Sequence, residues 1–340
     1  MKRFLLATSA LVLTTGYAAA EVTFGGSAGF GVQYNDEAAT QSTLFSYAAF
    51  AATMSGESDA GLAFGAEINI KVEDNGDLGQ DDTTVFVEGG FGRLSFGAVG
   101  EADEVRGLSD VGWDGLDADD VAEALTGDEL GDHLGVSLSH NINYTFSTDA
   151  FSVSASARLE EDAGAVESTE SFAIGGRYNF ADAYVGVGFI QHSGETGTGT
   201  LDAPYDFDEG RDTNFDATVI SLYAGGSFAG VDLRALYAQA ETELDDGLFA
   251  ETIDATSFGL SASYTMDALT ISATYGHTEH ENDALAGTFT EESFGLGAAF
   301  DLGGGAAVSG GIAQIESFNE NSFNAAGTEL RADIGMTFSF

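Results

Sequence analysis

Cysteine is absent from the 340 residues, so no disulfide framework is available and stability has to come from backbone pairing and burial. Cations are nearly as scarce: 10 Lys and Arg stand against 56 Asp and Glu. Without a basic footprint to neutralise phosphates, nucleic acid is excluded as a partner. Proline occurs once, at Pro204, in a polar stretch where it breaks no ladder. After the first twenty residues no run of 18 apolar residues is found, which excludes a helical membrane protein but not one that crosses with strands.

What is present is apolar. At 44% hydrophobic and 11% aromatic, the chain is too rich in burial-seeking side chains for a disordered acidic protein. Residues 1–20 read as a cleaved export signal, with Lys2 and Arg3 at the start, an apolar stretch from Phe4 to Leu13, and Ala18-Ala19-Ala20 as the cleavage site. An uncleaved anchor is the alternative, but the stretch is too short to span a bilayer. Residues 21–340 then form one domain with 8 cations, 56 acids and a formal charge of −48. Its length is large for a single water-soluble core and suits one closed barrel.

Period-two alternation in segments of about ten residues runs through the whole chain, the pattern that lipid outside and water inside impose on barrel strands. In the clearest instance Leu62, Phe64, Ala66, Ile68, Ile70 and Val72 are apolar while Glu67, Asn69, Lys71 and Glu73 fill odd positions. Similar sets recur, among them Val231 to Tyr237, Phe258 to Tyr264, Leu269 to Tyr275 and Leu330 to Phe340. They predict an all-β, closed antiparallel transmembrane barrel of about 16 strands. Short turns, such as Gly89 to Gly92 and Phe228 to Gly230, alternate with long acidic connections. The latter are predicted at Gly100 to Asp132, His192 to Phe215, Glu241 to Asp254, His277 to Ala286 and Glu316 to Ala326. A soluble lectin-like or propeller fold is the alternative, against which the exposed aromatic end at Phe340 argues.

Six cations, Lys71, Arg93, Arg158, Arg177, Arg234 and Arg331, are out of phase with the apolar face of their strands and are predicted to point into the lumen. The stretch Gly100 to Asp132 holds twelve acids and one cation, Arg106. It also carries Val105, Leu108, Val111, Trp113, Leu116, Val121 and Leu125, which suit a loop packed against the inner barrel wall. Such a loop would narrow a pore and set a transverse field across it, with Asp103, Glu104, Asp110, Asp114, Asp117, Asp119 and Asp120 as its acidic side. The five histidines show no nucleophile-base arrangement, and no enzyme is expected. His277 and His280, three apart, could hold a metal weakly, although a solvated loop is the plainer account.

The chain also resembles a known family, the trimeric general-diffusion porins of photosynthetic and marine alphaproteobacteria. The likeness rests on Thr53-Met54-Ser55-Gly56, Ser58-Asp59-Ala60-Gly61, Phe96 to Leu116, Thr126-Gly127-Asp128-Glu129 and Asp301-Leu302-Gly303-Gly304-Gly305-Ala306. It implies a 16-stranded barrel in the bacterial outer membrane, a homotrimer, and a third loop, Gly100 to Asp132, bent inward as the constriction. It further implies passive diffusion of ions and small hydrophilic solutes, and Phe340 as the signal read by the outer-membrane assembly machinery. Outer-membrane lipid is the surrounding partner. No cofactor is expected; calcium occurs in the family, but no loop here has EF-hand spacing and no ligands are assigned. One departure stands out: where family members carry an arginine cluster on the second strand, this chain reads Ser46-Tyr47-Ala48-Ala49, so the pore should prefer cations. A substrate-specific channel and a plugged structural barrel are the competing readings.

Overall fold

The computed structural model describes residues 9–12, 21–73, 77–159, 169–196, 213–248, 250–283, 288–318 and 325–340. A short strand β1 (Ser9–Val12) is followed by β2 (Glu21–Asn35), β3 (Ser42–Glu57), β4 (Ala63–Glu73), β5 (Asp77–Gly89) and β6 (Gly92–Gly97). Two short helices, α1 (Asp120–Glu123) and α2 (Leu130–Leu134), lie in the connection to β7 (Ile142–Ser147). Then come β8 (Phe151–Arg158), β9 (Thr169–Phe180), β10 (Ala183–Thr196), β11 (Thr213–Phe228) and β12 (Val231–Asp245). The chain ends with β13 (Ala250–Met266), β14 (Leu269–Asn282), β15 (Thr288–Gly303), β16 (Ala306–Phe318) and β17 (Ala325–Ser339).

Each strand from β2 to β17 pairs antiparallel with the next, and β17 returns to β2 with Ser339 opposite Ser27 and Arg331 opposite Asn35. The result is a closed 16-stranded barrel, with β1 added outside the ring against Glu21–Phe24. Closure leaves no unpaired edge in the hydrocarbon, where each orphaned backbone group would cost several kcal/mol. Phe340 extends the seam: its N–H donates to Gly26 O at 2.9 Å.

Alternation sets the two faces. On β11, Ile220 and Leu222 face outward, about half exposed to the surroundings, whereas Val219, Ser221 and Tyr223 are buried inward. Arginine at Leu260, an outward residue between the aromatic positions Phe258 and Tyr264, should therefore cost about 2 to 4 kcal/mol of barrel stability. At the exposed, lumen-facing Asn69 it should cost close to nothing. Denaturant unfolding of the two variants in lipid tests this, and equal losses would show the strand phase to be wrong.

Several of the predicted acidic connections are strand instead. Glu241 to Asp254 belongs almost wholly to β12 and β13, with Asp245 opposite Ala250, and most of His277 to Ala286 belongs to β14. The strands rise past the lipid belt with alternation intact: Glu241, Glu243 and Asp254 point out while Thr242, Leu244 and Ile253 are buried inside. Outward acid does not mean loop when the inward face still has something to pack on. His277 and His280 consequently lie on opposite faces of β14, which removes the joint metal reading.

The inner packing partner is the segment between β6 and β7, residues 98–141, folded into the lumen and longer than the predicted Gly100 to Asp132. Its Leu125, Leu130, Leu134 and Leu138 form one apolar cluster with Ile190, Phe215, Leu244 and Ile253 of the wall.

Candidate functional site: the lumen constriction

From Ala102 to Trp113 the loop runs across the strands rather than along them. Ala102 lies on Gly175 of β9, Val105 on Gly186 of β10, Leu108 on Gly259 of β13, Val111 on Gly295 of β15 and Trp113 on Gly335 of β17. That arc crosses eight strand spacings of roughly 4.8 Å in eleven residues of roughly 3.4 Å each, so the segment must be nearly extended. Glycine makes the close approach possible: a Cβ on Gly175 or Gly188 would collide with the carbonyl of Ala102 or Asp103, and one on Gly311 would sit 2.9 Å from Gly112 Cα.

The tip of this run is held twice. The Asp333 carboxylate accepts the N–H groups of Trp113 and Asp114 at 2.7 and 3.0 Å. The buried Trp113 ring packs against Phe45 and Tyr47 of β3, with centroids 5.9 and 6.3 Å away. Tyr47 is the residue standing where the resemblance calls for an arginine cluster, so an aromatic clasp occupies that place on the wall.

Four of the six predicted wall cations lie on the loop-covered side rather than opposite it. Arg234 donates to the carbonyls of Gly107 and Leu108 at 3.1 and 3.0 Å, and Arg158 to that of Ser139 at 3.1 Å. Arg331 pairs with Asp117 and Glu329, and Arg177 lies near the Tyr184 ring. Of these six, Lys71 and Arg93 face the loop across the open lumen, each neutralised on its own wall. Lys71 pairs with Glu73 at 2.5 Å, over the Tyr47 ring; Arg93 pairs with Glu67 at 2.7 Å and stacks on Phe86. The expected picture of an acidic loop facing wall arginines is therefore corrected, because a docked loop needs donors beneath it for its own carbonyls.

The acidic set divides as well. Asp110, Asp117 and Asp120 are exposed, and the half-buried Asp114 accepts from Gln33 Nε2 at 3.2 Å. Asp103 and Asp119 are buried, and Glu104 packs against Gly127 within the loop, so these three do not face the passage. Burial lifts Asp103 to about 6, partly offset by the Gly127 N–H, and lifts Asp119 to about 8 with help from Asp110 and Glu123. Glu101 and Glu129 are each raised to about 7, chiefly by burial. Near neutral pH the loop thus carries less charge than its twelve acids suggest.

Both ends of the loop meet at one buried chain of hydrogen bonds. Ala102 N–H donates to Ser156 Oγ at 2.7 Å; Ser156 bonds His140 Nδ1, His140 Nε2 bonds Ser171 Oγ, and Ser171 bonds His192 Nδ1, at 2.6, 2.5 and 2.7 Å. With the Ala102 N–H fixing the direction, a neutral imidazole satisfies every link. Among the described residues no three His, Asp or Glu side chains are grouped as metal ligands.

A closed 16-stranded barrel narrowed by an inward loop is the architecture of a diffusion channel, and comparison with known proteins agrees. The family described as Gram-negative porin matches residues 7–320. The chain belongs to the Gram-negative porins. This porin is 31% identical to a porin of Rhodobacter capsulatus, in an alignment covering 94% of this chain and 100% of the relative. It is similar to a solved porin structure at 27% identity and a TM-score of 0.68, covering 94% of this chain and 100% of that one. The Vibrio cholerae outer-membrane protein OmpT, in its trimer form, shares the fold at 16% identity and a TM-score of 0.72, over 94% and 99% of the two chains. An anion-selective porin of Comamonas acidovorans shares it at 17% and 0.68, over 94% and 100%. Membership makes the chain an outer-membrane β-barrel forming a water-filled channel for passive diffusion. Selectivity is a property of side chains set on this barrel, not of the barrel itself.

The porin's buried acids make loop docking depend on pH. Their protons are held more tightly in the docked loop than in an undocked one, where carboxyls titrate near about 4. The contribution of these acids to docking is fully present below about that value and is lost as pH rises through about 6 to 8. His140 acts in the opposite sense: burial lowers it to about 4, so docking weakens as pH falls from about 6.5 towards about 4. Amide exchange across residues 100–132, corrected for intrinsic rates, should be slower at about pH 6.5 than at about pH 8.5. Equal protection would contradict the burial of these acids.

Three of the porin's key groups escaped the sequence reading. Asp333, Glu67 and Glu73 each occupy an inward odd position on a strand whose even positions are apolar, and that phase was the available signal. Their loop and cation partners were not readable from it.

Proposed function

We propose that this porin is a passive, cation-preferring channel that works as a homotrimer and catalyses no reaction. The observation that carries the preference is the lumen charge: exposed Asp110, Asp117 and Asp120 border a passage whose opposite cations, Lys71 and Arg93, are matched by Glu73 and Glu67. An acidic passage concentrates cations and repels anions. The trimer is supported by the family resemblance and by the similar fold of OmpT, solved as a trimer. Against a substrate-specific channel, Phe45, Tyr47 and Trp113 are committed to one another in the clasp rather than arrayed as a track for solutes. Reversal potentials across a potassium chloride gradient test the preference.

Residues 1–20 act as the cleaved leader in this reading, and outward Glu241, Glu243 and Asp254 above the lipid belt meet anionic outer-leaflet lipid through divalent cations. No calcium ligands are assigned. Phe340, two-thirds exposed beyond the seam, serves as the assembly signal. Its deletion should lower the amount of barrel in the outer membrane by several fold on the order of what one lost recognition contact gives, while unchanged levels would remove that role.

A further inference from the structure

In a chain with so few cations, three guanidinium groups converge on one tyrosine. Arg106 of the loop and Arg177 of β9 lie 5.2 and 5.8 Å from the centre of the Tyr184 ring. Arg234 stands on β12 opposite Gly225, which is itself opposite Tyr184, and the missing Cβ of Gly225 leaves room for the Tyr184 hydroxyl. Asp232 is the carboxylate near them, 4.0 Å from Arg106 and 3.9 Å from Arg234. Among the described residues no acid pairs with Arg177. At ion-pair distance the three cations have one acid between them, and the next carboxylate near Arg234 is the partly buried Glu123 of the loop.

Three polar atoms in this cluster are unsatisfied. Tyr184 is 5% exposed, yet its hydroxyl has no hydrogen-bond partner among the described residues, and neither does the buried Nε of Arg177 or of Arg234. An unpaired buried donor beside mutually repelling guanidinium groups is costly, and an anion offsets both costs at once. The cluster sits below the loop, close to the short turns at Ala181–Asp182 and Ala229–Gly230, hence at the periplasmic mouth.

We propose that Arg177, Arg106, Arg234 and the Tyr184 hydroxyl form a subsite for small oxyanions at the periplasmic mouth of the pore. Guanidinium forks match the oxygen pairs of phosphate and carboxylate, and the phenol adds one further donor. Arg234 has one role in common with the loop, since it also holds the carbonyls of Gly107 and Leu108. Arg177 has no such task and is free to receive the anion. Solutes carrying a phosphate or carboxylate group would meet this site after passing the constriction.

The test uses the full-length porin in planar bilayers, at fixed potassium chloride, with inorganic phosphate added to one compartment and then to the other. Phosphate should reduce the open-channel current saturably, with an effect that differs between the two sides. Arg177→Gln and Tyr184→Phe should each weaken the apparent affinity by about tenfold, the scale of one lost charge-assisted hydrogen bond, and Tyr184→Phe, which changes no charge, should leave the step in potassium chloride alone unchanged. Arg177→Lys should fall between. A wild-type current indifferent to phosphate, or a response in both variants equal to that of the wild type, overturns the proposal. The potassium chloride steps in the same records establish that the pore is open, so this failure differs from failure of the channel itself. If Arg177→Gln yields no channels, Tyr184→Phe decides by the same criterion, since it removes a single oxygen.

Discussion

Alanine at Trp113 should free the tip of the constriction loop and raise single-channel conductance clearly above that of the unaltered porin. The indole is 5% exposed, wedged over Gly335, Gly31 and Gly29 and clasped by Phe45 and Tyr47. Truncating a buried tryptophan costs about 3 to 5 kcal/mol, and here the loss falls on loop docking rather than on the barrel ladder. Asp333 would still hold the tip through two backbone N–H groups, worth about 1.5 to 3 kcal/mol each as charged hydrogen bonds, beside the Gln33–Asp114 and Arg331–Asp117 contacts. The double variant Trp113→Ala, Asp333→Ala should accordingly show the larger rise. Gly335→Val should behave like Trp113→Ala, because its Cβ would collide with the indole. Conductance in potassium chloride, read beside the heat stability of the barrel, separates release of the loop from unfolding. An unchanged conductance in the double variant would mean that the loop is held by its two ends and its leucine cluster alone.

Potassium should outrun chloride through the unaltered pore, steeply at low ionic strength and weakly near 1 M salt, where the screening length falls to about 3 Å. Changing Asp110, Asp114, Asp117 and Asp120 together to Asn removes the lumen-facing charge of the loop while keeping its bulk, and should reduce the preference without closing the channel. Asp119 is left out because it is buried and raised to about 8, so it adds little field near neutral pH. Asp117 also pairs with Arg331, and its loss leaves that guanidinium partnered by Glu329. The wall matters as well: Glu67→Gln should deprive Arg93 of its closest carboxylate and move the reversal potential further towards chloride. An anion-selective or unselective wild-type pore at low salt would sink the account. So would a preference that does not change with ionic strength, since that is the behaviour of a rigid binding site rather than of a field.

Strand phase was legible because it is local. Lipid on one side and water or packed loop on the other act residue by residue, so Leu62 to Val72 displays its lipid face without reference to any distant part of the chain. The lengths of the connections were less legible. Glu241 to Asp254 looks like a loop by charge, but Thr242, Leu244 and Ile253 bury themselves against a segment more than a hundred residues earlier in sequence. Hairpin turns were legible: the short turn read at Phe228 to Gly230 joins β11 to β12, with Ala229 and Gly230 both at positive φ.

By itself, the sequence determined that this chain crosses a membrane with strands, that its lysines and arginines avoid lipid, and that its one long apolar and acidic loop has a surface to pack on. Only the tertiary structure decided which way that loop runs, which acids it buries, and which cations serve as clamps beneath it rather than as a charged wall opposite. The reason is physical: facing lipid is a property of one residue and its neighbours. Pairing Arg234 with the carbonyls of Gly107 and Leu108, or Asp333 with the N–H of Trp113, depends on closing the barrel and bringing distant strands within hydrogen-bond reach.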